Sequence, residues 1–389
     1  MKSGFTRVFY AEWRKFFRSP RLMVWVLAVP LLIFVFFGAL FHRGVPRNLP
    51  VNVVDYDNSA LSRQLLRFVD ASPIMAITQH CTNEAEAQVA LRRADVFATI
   101  LIPSDFENNI YQGKNPQAVC YVNSQYILPA GLIQSAFLST AGTFSAGVKL
   151  DKRQKQGQTY GQVMTDISSV KLDKHILYNP YMNYSYYLNL AMLPMMFQIV
   201  VMVVSAYVLG LVMKRRRAEK LYRLGNQNVW AVLAGKLLPY TLLFLLMGWF
   251  MNVFLFYNIG VPRKGTMGCI LLVSALMVLA YQAMAVFFVA FSRNLRSALT
   301  YGGGFSALAF SFSGYTFPYE GIPKSMVVAG QLFPYSHFLK AYVNTAIKGL
   351  PLGASGVQLL ALLAFVVVGM AAIPKFSKLL KNNGYEPEY

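Results

Sequence analysis

Five stretches of this 389-residue chain, 22–41, 186–213, 237–259, 267–291 and 355–374, run without a single charged side chain. A helix rises 1.5 Å per residue, so about 20 residues cross a hydrocarbon layer of about 30 Å, and each stretch is long enough. A sixth uncharged run, 297–315, is richer in small residues. Only 13% of the residues are charged and 56% are hydrophobic, where a soluble domain carries roughly 25% charged. The expected fold class is an α-helical integral membrane protein with six transmembrane helices and an inserted α/β domain. The first run exceeds the apolar core of a cleavable leader, and Gly38-Ala39-Leu40-Phe41-His42 offers no clean small-x-small site, so 22–41 is expected to remain as the first crossing.

The net charge of +20 could signal nucleic acid or membrane orientation, and placement along the chain decides between them. Six crossings leave both ends on one side. Segments 1–21, 214–236, 292–297 and 375–389 then hold 18 Lys and Arg, against five in the short loops 258–267 and 314–352. Basic residues are retained on the cytoplasmic side, so both termini are expected there. The remaining segment, 43–183, is nearly balanced, with 13 basic and 11 acidic residues. No concentrated basic face is left for nucleic acid.

Within 1–21, Phe5, Val8, Phe9, Trp13, Phe16 and Phe17 recur at helical spacing while Arg7, Arg14, Lys15 and Arg18 take other faces. This predicts an amphipathic helix lying on the cytoplasmic leaflet. Residues 43–183 are long enough for one compact extracytoplasmic domain. Val51 to Val54, Val96 to Ile102 and Gln117 to Asn123 read as strands, with helices after Asp57 or Asn58, near 84–93 and near 104–112. The uncharged stretch Tyr126 to Val148 is long enough to cross, but its Gly, Ser, Thr and Gln content favours a long helix of that domain. A five-helix transmembrane region follows at 186–374, and Pro318, Pro323 and Pro334 break 314–352 into short re-entrant or interfacial pieces. A cytoplasmic tail, 375–389, closes the chain.

None of these six runs contains an ionisable residue. Proton-coupled carriers need such groups in the membrane, so the energy for any transport would come from elsewhere. Gln198, Asn252 and Gln282, with Asn189, either line a substrate path or tie helices together. No phosphate-cradling loop is present: Gly235-Lys236 is followed by Leu237, and Trp230 stands where the upstream glycine belongs. The four histidines make no paired metal-ligand spacing and no Gly-x-Ser-x-Gly elbow occurs, so neither a catalytic residue nor a metal site is assigned. Cys81 and Cys120 form a disulfide if the domain lies in an oxidising compartment, or remain two buried thiols. Tyr178, Tyr181, Tyr184, Tyr186 and Tyr187 crowd the start of the second crossing as an interfacial belt or a binding cluster.

Three segments carry a resemblance. SGYTFPYEGIPKSMVVAGQLFPYSHFLKAYVNTAIKG (Ser313 to Gly349) has SG, FP, a proline before a short helix, a second proline and a basic-Gly end. VVDYDNSALSR (Val53 to Arg63) is followed by ILIPSDFENNIYQGKNP (Ile100 to Pro116), and AGKLLPY spans Ala234 to Tyr240. With these the chain resembles a permease of the ABC-2 type transporter family, in the branch with a large domain between the first two helices. KRRRAEKLYRLGNQN (Lys214 to Asn228) departs from the family's acidic-basic run ending in Gly-Thr. The resemblance implies a bacterial inner-membrane exporter of drug-like or lipidic molecules working by alternating access. It implies partners: ATPase subunits that bind ATP and Mg, a second permease copy as homodimer or heterodimer, membrane lipids, and a periplasmic adaptor with an outer-membrane channel. No cofactor is expected on this chain. The loop holding Arg215, Arg216, Arg217, Glu219, Lys220 and Arg223 is the implied ATPase-coupling surface. The alternative is a membrane-anchored sensor or interaction protein with a ligand-binding ectodomain, which calls for a cytoplasmic output domain. No expected cytoplasmic segment exceeds about 25 residues.

Overall fold

The computed structural model describes residues 3–157, 160–161, 175–180 and 182–385. Parts of the expected outer domain (158–159, 162–174 and 181), Tyr181 of the tyrosine cluster and 386–389 of the tail lie outside the described residues. The chain divides into two compact units, Met1–Gly44 with Ile176–Tyr389, and Val45–His175.

The first unit is helical. It opens with α1 (Gly4–Arg18), capped by the Ser3 side chain accepting from Thr6 N. After a break at Ser19 comes α2 (Pro20–Leu40), which widens into a π turn over Val24–Ala28. Pro30, two residues past that turn, lacks the N–H an ordinary helix would need there. The other long helices of this unit are Tyr184–Lys214, Val229–Asn258, Met267–Phe291 and Leu352–Lys381, each long and apolar enough to cross a membrane. Tyr184–Lys214 and Met267–Phe291 are the most enclosed, whereas α2 and Leu352–Lys381 turn most of their apolar surface outward. Trp25, Leu32, Phe36, Val357, Leu360 and Val367 are all exposed, which is the arrangement an apolar solvent permits.

The expected crossing at 297–315 is not one helix. The helix covers only Leu295–Leu308, 14 residues, or roughly 21 Å, which is short of the hydrocarbon thickness. The backbone then turns through Ser311 and Ser313 to Gly314, whose φ of +70° suits a residue without Cβ. A short helix, Lys324–Gly330, and a buried one, Pro334–Ala346, complete the broken segment. It runs from Leu295, beside Gly210, to Ala346, whose carbonyl accepts from the Lys264 N–H, and so joins the two ends of the bundle as a sixth passage made of several pieces. Irregular backbone at membrane depth needs protein partners, and it has them. Tyr187 and Tyr315 stack with centroids 4.6 Å apart, and each hydroxyl donates to the other's carbonyl, at 2.6 and 2.7 Å. Tyr335 donates to the Ala191 carbonyl at 2.6 Å.

The second unit is α/β. Strands β1 (Leu49–Asp55), β2 (Met75–His80), β3 (Ala98–Ile102) and β4 (Val119–Val122) lie in the order β2-β1-β3-β4. The first three run parallel, and β4 pairs antiparallel with β3. Helices Ala60–Asp70 and Glu84–Arg93 make the crossovers, as parallel pairing requires. Ile127–Lys155 is long and apolar enough to rank as a sixth candidate span. Its Ile133, Phe137, Thr140 and Phe144 are nevertheless buried at spacings of four, three and four, one helical face. The three apolar members close the core formed by Val51, Val53, Leu65 and Ile100.

Candidate coupling surface and polar positions

Gly4, Val8, Glu12 and Phe16 recur every four residues along α1, and all four are buried. The stripe packs against the start of Val229–Asn258. At Gly235 a Cβ would come within 2.9 Å of the Phe5 carbonyl oxygen and of Val8 Cβ, so the small residue sets how closely the helices approach. A second stripe, Phe5, Phe9, Trp13 and Phe17, forms a ladder of rings with centroids 5.9, 5.9 and 5.4 Å apart. The helix is thus amphipathic in two directions, and one of its packed positions is a carboxylate.

That carboxylate is the centre of a buried cluster. Lys236 Nζ donates to Glu12 Oε2 at 2.9 Å, Lys15 Nζ to Oε1 at 2.9 Å and the Tyr240 hydroxyl to Oε1 at 3.0 Å. Burial by itself would push the Glu12 carboxyl up, but the Lys236 and Lys15 ammonium groups outweigh it and hold the group at about 2. Lys236 is 1% exposed. Its position corrects two expectations: a long membrane helix does contain a charged residue, and one of the 18 basic residues counted as cytoplasmic is enclosed by protein. Sequence reasoning missed the pair because the uncharged run was drawn from residue 237, one position after the lysine.

Next to α1 lies the basic segment. The long helix ends at Lys214, Arg216 takes φ of +52°, and a short helix, Ala218–Leu224, follows. Arg215, Arg216, Arg217, Lys220 and Arg223 are exposed, while Glu219 is half-buried. Glu219 pairs with Arg223 one turn on, and its backbone N–H donates to Asn383 Oδ1 at 3.3 Å. Arg7 of α1 donates to Asn226, and a Cβ at Gly4 would fall 2.5 Å from the Gly225 carbonyl oxygen. The five basic side chains therefore share one segment, held from one side by α1 and from the other by the C-terminal end.

The polar positions inside the bundle do not converge. Gln198 Nε2 donates to the Ser306 carbonyl at 2.9 Å. Asn252 Nδ2 reaches the Gly248 carbonyl and Ser274, while its Oδ1 accepts from Tyr342 at 2.6 Å. Gln282 Oε1 accepts from Thr241 at 2.7 Å, and Asn189 Nδ2 donates to Ser185 at 3.0 Å. Gln198, Asn252 and Gln282 thus tie chain elements together, and among the described residues no hydrogen bond joins any two of them. Gln282 and Thr241 also border a groove of about 330 Å³ whose other walls, among them Leu237, Leu279, Val366 and Met370, are almost wholly apolar.

Cys81 and Cys120 are both unbonded. Cys81 follows β2 and Cys120 lies in β4, at opposite edges of the sheet with β1 and β3 between them. Three strand spacings of about 4.8 Å exceed the Cα separation a disulfide spans, which explains why the two cannot join.

No curated protein matches the sequence. The profile described as ABC-2 family transporter protein matches residues 20–373, from the start of α2 to the final helices. Since that match spans most of the chain, including the broken segment and the inserted α/β unit, the protein belongs to the ABC-2 transporter family.

Proposed function

We propose that the chain is the membrane-spanning subunit of an ATP-driven exporter that moves a hydrophobic, drug-like or lipidic molecule out of the cytoplasm or inner leaflet. Both termini lie in the cytoplasm of a bacterial cell, and hydrolysis takes place on separate ATPase subunits that carry ATP and Mg. The observation that carries this reading is the exposed row Arg215, Arg216, Arg217, Lys220 and Arg223, braced by a helix that a buried ion pair fastens to a membrane helix. A flexible basic tail would satisfy orientation alone. A braced one can transmit a push, because α1 and Val229–Asn258 cannot separate without exposing Glu12 and Lys236 unpaired in an apolar setting.

Two copies enclose the path. On the helix Leu295–Leu308, Gly302 packs on Met202 within the subunit, whereas a Cβ at Gly304 would touch nothing, and Tyr301 and Leu308 are exposed. This outward face of small and aromatic residues suits a close approach by a second permease. The apolar walls beside Gln282 and Thr241 favour an apolar cargo over a charged one. An adaptor and an outer-membrane channel extend the path where the cell has a second membrane.

The test is co-purification with an ATPase, followed by ATP-dependent movement of fluorescent lipids and drugs in liposomes. Stimulated hydrolysis with net export is expected. Full coupled transport by a monomer, or lack of any ATPase partner, would contradict the reading.

A further inference from the structure

The α/β unit contains a cavity of about 720 Å³ between the helix Phe106–Tyr111, the segment Gly113–Cys120 and the helix Ile127–Lys155. Leu65, Phe106, Phe144 and Val148 form an apolar wall. Phe106 and Phe144 stack with centroids 6.3 Å apart. Burial pushes the Cys120 thiol on this wall up to about 11, the mark of surroundings with little water.

The mouth has a different chemistry. Lys114, Lys149 and Lys152 line it, and no Asp or Glu does. Lys149 and Lys152 are three residues apart on one helix, hence on one face. Lys152 Nζ reaches across to the end of the helix Phe106–Tyr111, just before the loop bearing Lys114, and donates to the Tyr111 carbonyl oxygen at 3.5 Å. Among the described residues none of the three pairs with a carboxylate, and the nearest acid in sequence, Asp151, is engaged by Lys155 at 2.6 Å. Although Glu107 and Asp151 line the adjoining cavity that Lys152 shares, the segment as a whole is close to neutral, with 13 basic and 11 acidic residues, so three lysines at one mouth are a local concentration. Their mutual repulsion falls when an anion sits among them.

We propose that this cavity binds an anionic amphiphile with a single aliphatic chain and a carboxylate head, the chain against the half-buried Ile110, Val119 and Val148 and the head among Lys114, Lys149 and Lys152. The volume falls within the roughly 300–1,000 Å³ of pockets that enclose drug-sized ligands. The apolar wall selects for the chain, and the lysines select against neutral or cationic heads. The site uses no residue of the coupling surface, so its test is independent of the transport reading and needs no ATPase.

The experiment uses the full chain in nanodiscs with a diazirine-bearing dodecanoate and the matched alcohol, mapping crosslinks by peptide mass spectrometry. The dodecanoate probe should mark Phe106 to Cys120 and Ala141 to Lys152, with unlabelled dodecanoate competing. Labelling should fall about tenfold in Lys149→Glu with Lys152→Glu, as expected for loss of charge-assisted contacts. It should also fall in Ala141→Trp, which fills the cavity. Should Ala141→Trp misfold, the charge variant decides alone, since Lys149 is exposed and Lys152 half-buried. Equal marking by the alcohol, unchanged marking in the charge variant, or crosslinks no denser here than on the membrane helices would overturn the proposal.

Discussion

Glu12 and Lys236 show how much one residue's neighbours decide. Removing a single partner of a buried ion pair leaves the other charged and unmatched, at a cost of about 3–5 kcal/mol, whereas replacing both with apolar groups is often neutral. Lys236→Met should therefore lower the thermal midpoint markedly, and Glu12→Met with Lys236→Met should recover most of the loss. Denaturation of the two variants in one lipid system checks this. Acid supplies an independent check. The Glu12 carboxyl titrates near 2 when folded against an ordinary value of 4.5, so its contribution is fully present above about 4.5 and is lost as pH falls through 2. The stability gap between the native chain and Glu12→Gln should narrow as pH falls from about 4.5 toward 2, and a gap that holds constant across that interval would point to a different group. None of this was legible in the sequence, where residues 1–21 read as a basic amphipathic helix with no role given to Glu12. A contact between positions 224 apart leaves no periodic trace.

At the scale of elements, close approach of α1 to Val229–Asn258 rests on Gly235. Gly235→Val would drive methyl groups into the Phe5 backbone and Val8, costing about 1–3 kcal/mol if the helices stay together. The expected outcome is weakened coupling to the ATPase with insertion unchanged. Insertion is read by protease protection and coupling by ATP hydrolysis. Five long helices of the first unit were readable from uncharged length alone, because lipid imposes that length on any crossing. Composition reports what an element can tolerate, not what it touches. The run 297–315 is apolar enough to be a helix in lipid, yet the turns after Leu308 interrupt it. Ile127–Lys155 qualifies by the same measure, yet its Ile133, Phe137 and Phe144 belong to the core of the sheet. Of the second unit's four strands, β2 (Met75–His80), an edge strand whose Thr78, Gln79 and His80 interrupt the apolar pattern, was not legible, but the other three were, since cap residues and short apolar strands are local signals. The separation of Cys81 from Cys120 depends on strand order, which is not.

Taken as a whole, the molecule is proposed to place Val45–His175 outside the membrane, with both termini and the basic segment inside. A cysteine introduced at Gln156, an exposed residue in a chain whose native cysteines are replaced, should react with an impermeant reagent added from outside. Reaction only from the cytoplasmic face would invert the account and make Ile127–Lys155 a crossing. The polar residues read as a possible route, Gln198, Asn252 and Gln282, each hold a hydrogen bond to another chain element, and the sequence could not separate that role from lining a path because both use neutral amides. The central claim is that work done elsewhere enters through Lys214 to Asn228 and α1. Its most direct measurement is ATP hydrolysis by the partner ATPase with the native chain, with Arg217→Glu plus Lys220→Glu, and with a loop whose basic positions are shuffled at constant charge. Lipid attraction depends on total charge, at about 1 kcal/mol per basic residue, whereas docking depends on which residue stands where. The account predicts stimulation near background for the double reversal and clear impairment for the shuffled loop, both with normal insertion. A shuffled loop that stimulates as well as the native one would contradict it.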